Sequence, residues 1–220
     1  MLHHHLILAS SSPRRRVLLT QLGLTFECVG EGVRECRGTD VEPEEMARRN
    51  ATEKAVAVSG EGPIEAVLGA DTVVILDGVP VGKPDDVAGG SRLLWAMRER
   101  TQRVVTATAV LSRTSGLDVR VTRTELAHGS FSRTNLSRYL AAVDVLDKAG
   151  GIAVQAACWR EELGGVVRGC IPNAVGLPLC TVVDQLATVG LLSPFSCADP
   201  SQCSYDSYDN ELYVEGQPRS

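Results

Sequence analysis

A chain of 220 residues holds one generous domain with a full core and is too short for two of ordinary size plus a linker. With 44% hydrophobic and 22% charged residues, it has the balance of a folded globular protein, which excludes extensive disorder. Its net charge of −5 argues against a general nucleic-acid binder, which needs a strongly basic face, and no apolar run approaches the roughly 18 residues of a membrane span.

The opening MLHHHLILAS is too short and uncharged for a secretory signal, so a cytoplasmic protein is expected. His3, His4 and His5 read as solvated residues leading into a strand that ends at Ser10. Pro13 suits the first turn of a helix, where its missing N–H costs nothing, and Val17, Leu18, Leu19 and Leu22 supply an apolar face until Gly23. Residues 25–30 read as a second strand, and the acidic segment around Glu31, Glu35 and Asp40 as a loop. The spacing of Met46, Ala47, Ala51, Ala55 and Val58 predicts a helix over 43–59, with Pro43 at its start and acids in its first turn.

Residues 67–84 hold two short apolar runs separated by Asp77 and Gly78, a dipeptide that favours a hairpin turn. A helix follows over 85–99, weakened by Gly89 and Gly90, then strands over 103–112 and 119–128 and an amphipathic helix over 132–143. From Gly150 to Gly190 glycine-rich and apolar pieces alternate without an internal repeat. The alternation implies an α/β or α+β domain with a mixed sheet over residues 1–192. Residues 193–220 are poor in aliphatics and rich in Ser, Asp, Pro and Tyr, and are expected to form a mobile polar tail. Seven cysteines show neither a C-x-x-C pair nor a zinc-ligand spacing, so they read as reduced thiols.

Four cations and two carboxylates carry the chemistry. In SSSPRR, residues 10–15, serine hydroxyls and arginine forks stand at a helix N-terminus, whose unpaired N–H groups favour an anion. Arginine at the positive end of a helix dipole is mildly unfavourable without such a ligand. Asp71 interrupts an apolar strand, where a carboxylate is expensive unless it is paired, holds a metal or lies at a strand end beside a cleft. Lys54 and Lys83, taken singly, are more often solvated or ion-paired than functional. Taken together, Arg14, Arg15, Lys54 and Lys83 with Glu35 and Asp71 suit a polyphosphate, the cations holding phosphates and the carboxylates holding a divalent ion or activating water. No Walker or dinucleotide motif is present. The residues by themselves lead as far as phosphate-ester or anhydride chemistry.

In order along the chain, LASSSPRRRVLLTQLG, the Glu35 loop, ATEKA, GADTVVILDG, VGKP, LDKAGG followed by Gln155, and NAVGLPL resemble the Maf family of nucleoside triphosphate pyrophosphatases over residues 6–192. The resemblance implies a single domain with a mixed, twisted sheet flanked by helices, of the Maf and inosine triphosphatase kind. It implies hydrolysis of a nucleoside triphosphate to monophosphate and pyrophosphate with Mg2+ or Mn2+, in the cytoplasm, by a protein for which a homodimer would be ordinary. It also carries an older association with inhibition of septum formation.

Carried over residue by residue, Asp71 is the proton acceptor, Ser10, Arg14, Arg15, Lys54 and Lys83 bind the triphosphate, and Glu35, with Asp71, is metal-associated. Arg14, Thr72 and Gln155 are the set that the family's dTTP/UTP group carries, and the amide of Gln155 suits the donor and acceptor edge of uracil or thymine. The chain departs from the family pattern at Glu99 and Gln102, where Gly and His are usual, and at Ile152, where an aromatic is usual. The departures at Gln102 and Ile152 motivate an alternative, a nucleotide-binding regulator of division with little turnover, against which the retained catalytic positions argue.

Overall fold

The computed structural model describes residues 6–30, 41–60 and 64–192. His3, His4, His5, Glu31, Glu35, Asp40 and the tail after Leu192 lie outside the described residues. The elements run β1 Leu6–Ala9, α1 Pro13–Thr20, β2 Phe26–Cys28, α2 Pro43–Ala57, β3 Ala66–Leu76, β4 Val79–Val81, α3 Val87–Ala96, β5 Thr101–Ser112 and β6 Gly116–Ala127. They continue as α4 Arg133–Ala142, a 3₁₀ turn Ala149–Gly151, α5 Ala157–Leu163, β7 Val166–Gly169, α6 Ile171–Val175 and α7 Leu179–Thr188. None of the described helices is long and apolar enough to cross a membrane.

The seven strands form one mixed sheet in the order β2-β1-β3-β5-β6-β7, with β4 paired to β3. β1 is parallel to β2 and β3, and the β3-β5-β6-β7 ladder is antiparallel. This is the α/β alternative of the sequence reading. β1 stops at Ala9, one residue before the predicted end, because the Ser10 amide turns back to the Leu8 carbonyl (2.9 Å). β3 is one long strand where a short run was expected, with Asp71 in its middle and not at its end. Asp77 (φ 50°) and Gly78 (φ 82°) both adopt the left-handed region, which a two-residue turn of the I′ type requires between β3 and β4.

Strand alternation sorts the core into two faces. Leu6, Leu8, Leu68 and Ala70 point to one face, where Leu18 and Leu19 of α1 and Leu179, Val182 and Leu186 of α7 cover them. Farther along the same face, Val74, Val104 and Leu126 pack with Leu94, Leu136, Tyr139 and Trp159 from α3, α4 and α5. Ile7, Ala9, Val67 and Val73 point to the opposite face, which Met46, Ala47, Ala51 and Ala55 of α2 cover. A bidentate fork from Arg123 on β6 to Glu44 (2.6 and 3.0 Å) ties the start of α2 to the sheet.

Both departures at the start of β5 have a structural account. Glu99 sits at φ 57°, a left-handed conformation that costs a residue with a Cβ about 1–2 kcal/mol and costs glycine nothing. Gln102 is fully buried and bonded to His128 at the end of β6 (2.7 Å). Trp159 Nε1 can only donate, and it donates to His128 Nε2 (3.0 Å), so the imidazole proton sits on Nδ1 and goes to Gln102 Oε1.

Burial pushes His128 down to about 4 from its ordinary 6.5. Between those two values the unfolded chain takes up a proton that the folded one refuses, so folding stability is full above pH 6.5 and drains as pH falls toward 4. The loss across the window is roughly 3 kcal/mol. Denaturant melts at pH 7 and pH 4.5 check this: the wild type should lose more between the two pH values than His128→Gln, whatever their difference at pH 7.

Candidate functional site

The site lies where β1 ends and β3 goes on. β1 pairs with β3 only as far as Ala9 opposite Gly69, and β4 begins to pair at Val74, so residues 70–73 of β3 have an open edge between the two. From β1 the chain passes through α1 to β2 on one side. From β2 it returns through α2 to β3 on the other. Carboxyl ends of neighbouring parallel strands whose connections diverge leave a crevice, which is where open α/β sheets place ligands.

On the α2 face, Asp71 is 7% exposed and its carboxylate is held on both oxygens. Lys54 Nζ donates to Oδ1 at 2.6 Å and the Asn50 amide donates to Oδ2 at 3.1 Å. Lys54 also reaches the Ala70 carbonyl on the open edge at 3.5 Å. Asn50 and Lys54 stand one turn apart on α2, so one helix face delivers both. The helix comes this close because Gly69 has no side chain: a Cβ there would lie 2.1 Å from the Ala51 carbonyl oxygen and 2.8 Å from the Ala55 nitrogen.

On the opposite face, Thr72 looks toward α1 and α6. Arg15 is buried and donates from Nε to the Gly176 carbonyl (2.9 Å), from Nη1 to Ser10 Oγ (3.2 Å) and from Nη2 to Thr72 Oγ1 (3.0 Å). Ser10 Oγ accepts in turn from the Ser12 amide (3.3 Å), and Ser12 caps α1 through the Arg15 amide. Behind Thr72, the hydroxyl of Thr106 shares a hydrogen bond with it (3.0 Å) and donates to the Asn173 carbonyl (3.1 Å). Arg15 thus braces the serine loop, Thr72 and the loop after α6 in one network.

The remaining positions lie around the rim. Arg14 reaches across to the segment after α4, where it meets Asp147 through the carboxylate (2.5 Å) and the carbonyl (3.2 Å). Lys148 holds the other carboxylate oxygen (2.5 Å). Burial pushes the Asp147 carboxyl up, but the Lys148 and Arg14 cations beside it outweigh this and hold it below the usual carboxylate range. Lys83 is exposed just after β4, next to Gly82, whose carbonyl accepts from the Gly150 amide (2.9 Å). Gln155 is half-buried in the turn before α5 and is not hydrogen-bonded to Thr72 or Arg15, so the structure does not join it to them. Tyr139 pins the segment leading to it, donating to the Gly151 carbonyl (2.9 Å) and accepting from the Ala153 amide (2.8 Å). Arg16 is exposed.

The sequence profile of the family described as "Maf-like protein" matches residues 5–189. The chain belongs to the Maf-like family. Among relatives, this Maf-like chain is 38% identical over 184 residues to a protein of Akkermansia muciniphila named dTTP/UTP pyrophosphatase, covering 84% of this chain and 96% of that one. It is 39% identical to one of the same name from Pelotomaculum thermopropionicum (84% and 96%) and 36% identical to one from Salmonella typhimurium (91% and 98%). A solved structure of a nucleoside-triphosphatase / dITP/XTP pyrophosphatase from Mycobacterium abscessus aligns over 56% of this chain and 74% of that one, at 20% identity and a TM-score of 0.37. That likeness is too loose to bear on fold or chemistry.

Sequence reasoning about this Maf-like protein overlooked Asn50 and Asp147. Asn50 had a readable signal: a poor helix former in an alanine-rich helix interior, one turn before the lysine singled out for the site. Asp147 had none beyond its adjacency to Lys148, since its partner Arg14 lies 133 positions away.

Proposed function

We propose that this protein hydrolyses dTTP and UTP, and modified pyrimidine nucleotides of the same shape, to the monophosphate and pyrophosphate, clearing them from the nucleotide pool. What carries the reading is that Asp71, paired with Lys54, stands on the open edge of β3 within the region shared with relatives named dTTP/UTP pyrophosphatase. A buried carboxylate beside an ammonium suits activation of water against a polyanion.

In this reading Asp71 takes a proton from water, the freed oxygen lone pair attacks phosphorus, and the bond between the α and β phosphates breaks. Ser10, Arg14, Lys54 and Lys83 hold the triphosphate. Arg15 donates to three protein acceptors, so it supports the cradle by its charge and by bracing Ser10 and Thr72. Thr72 and Gln155 lie toward the base.

A divalent ion, Mg2+ or Mn2+, is part of the proposal. Among the described residues no three His, Cys, Asp or Glu side chains gather to hold a metal. The oxygen donors of a carboxylate such as Asp71, on the open edge of β3, suit a hard divalent ion. Asp71 and Glu35 would hold it, and when bound it would neutralise charge on the phosphates. Homodimerisation and cytoplasmic residence belong to the same proposal and follow the family resemblance.

The departure at Gln102 gives no support to a regulator without turnover. Gln102 is five positions along β5 from Ala107, which pairs with Asp71, or about 17 Å of strand. The test is a panel of common and methylated nucleoside triphosphates with magnesium. Pyrophosphate should be released from dTTP and UTP in preference to purine nucleotides; release of orthophosphate alone, or tight binding of UTP without product, would overturn the proposal.

A further inference from the structure

We propose that Asn50 is a positioning residue for Asp71, holding its carboxylate in one orientation while Lys54 turns to the substrate's phosphates; this rests on Asp71 being the proton acceptor. The bracket around Asp71 has two unlike arms. Lys54 carries a charge, sits at the open edge and also reaches the Ala70 carbonyl, so an entering triphosphate competes with Asp71 for its ammonium. Asn50 is neutral and 3% exposed, so the same triphosphate has little hold on it.

The direction of its hydrogen bond is set by chemistry, because an ionised carboxylate only accepts and the amide nitrogen must face it. Packing does not call for an amide here. Its neighbours along the buried stripe of α2 are Ala47, Ala51 and Ala55, and a polar side chain buried among them is costly unless it has a partner. A carboxylate offers about four acceptor directions, so two donors leave room for water on each oxygen. With Lys54 withdrawn toward phosphate, the amide remains to keep one oxygen fixed and the other turned to the water.

The experiment compares wild type, Asn50→Leu, Asn50→Asp and Asp71→Asn in pyrophosphate release over a range of UTP concentrations, with thermal melts of each. Asn50→Leu should lower kcat roughly ten- to a hundred-fold and leave KM within about two-fold. Asn50→Asp, which keeps the side-chain volume should the leucine variant fail to fold, should lower kcat at least as far, since an ionised carboxylate has no N–H to give Asp71. An undiminished kcat in a folded Asn50 variant, a loss that appears in KM alone, or a kcat loss explained by the melted fraction would overturn the inference while an inactive Asp71→Asn left the reading of the site standing. Full turnover in Asp71→Asn would sink both.

Discussion

Replacing Asp71 by Asn is expected to cut kcat for pyrophosphate release from UTP or dTTP by about 10²- to 10⁴-fold, the range that a positioned general base supplies. Affinity should move the other way. Asp71 brings a negative charge into a site built for a polyanion and occupies Lys54 at 2.6 Å. The amide of Asn keeps the shape and removes the charge, so with no divalent ion present the ammonium is left to the phosphates and UTP binds as tightly as before or more tightly. Calorimetric titration of the metal-free variant with UTP, beside its steady-state rate with magnesium, reads both quantities. A variant that binds less well and turns over in proportion would mean that Asp71 only supports the fold, and undiminished turnover would remove it from the chemistry altogether.

Gly69→Ala is the second substitution with a large expected effect, and it acts without touching any side chain of the site. The added methyl would sit 2.1 Å from the Ala51 carbonyl oxygen and 2.8 Å from the Ala55 nitrogen, both backbone atoms of α2, so a rotamer change gives no relief. The helix has to lift. Overpacking of this kind costs about 3 kcal/mol, which for a chain of this size lowers Tm by roughly 6–12 °C. Because α2 carries Asn50 and Lys54, the same displacement pulls both donors from Asp71, and kcat/KM should drop by about a hundred-fold. Melting and kinetics on one preparation check the pair of effects, and an unchanged Tm would contradict the close approach of α2.

What the sequence disclosed divides along the distance over which each feature is decided. The Pro13 helix start, the apolar stripe of α2 and the Asp77–Gly78 turn were legible because neighbours within one turn decide them. The family motifs pointed to Asp71, Lys54 and the serine loop, and the fold brings Asp71 to Lys54 and Ser10 to Arg15 and Thr72. The partners themselves were not legible. Arg14 meets Asp147 and Arg15 meets Gly176 across most of the chain, and such pairings depend on how the sheet and both helix layers close. The open edge of β3 is subtler still, since it exists because β1 stops at Ala9. A periodicity argument places a strand but does not set its last residue.

Asp71 and Thr72 are consecutive in the chain, yet the pleat sends them to opposite faces, one toward α2 and the other toward α1 and α6. In the proposed reading the sheet is a partition, with the proton acceptor on one side and Thr72 together with the serine loop on the other. If that reading holds, selectivity for a new nucleotide can be altered at Thr72 while Asp71 keeps its two donors on α2, so one scaffold can diversify its substrates while its reaction stays the same.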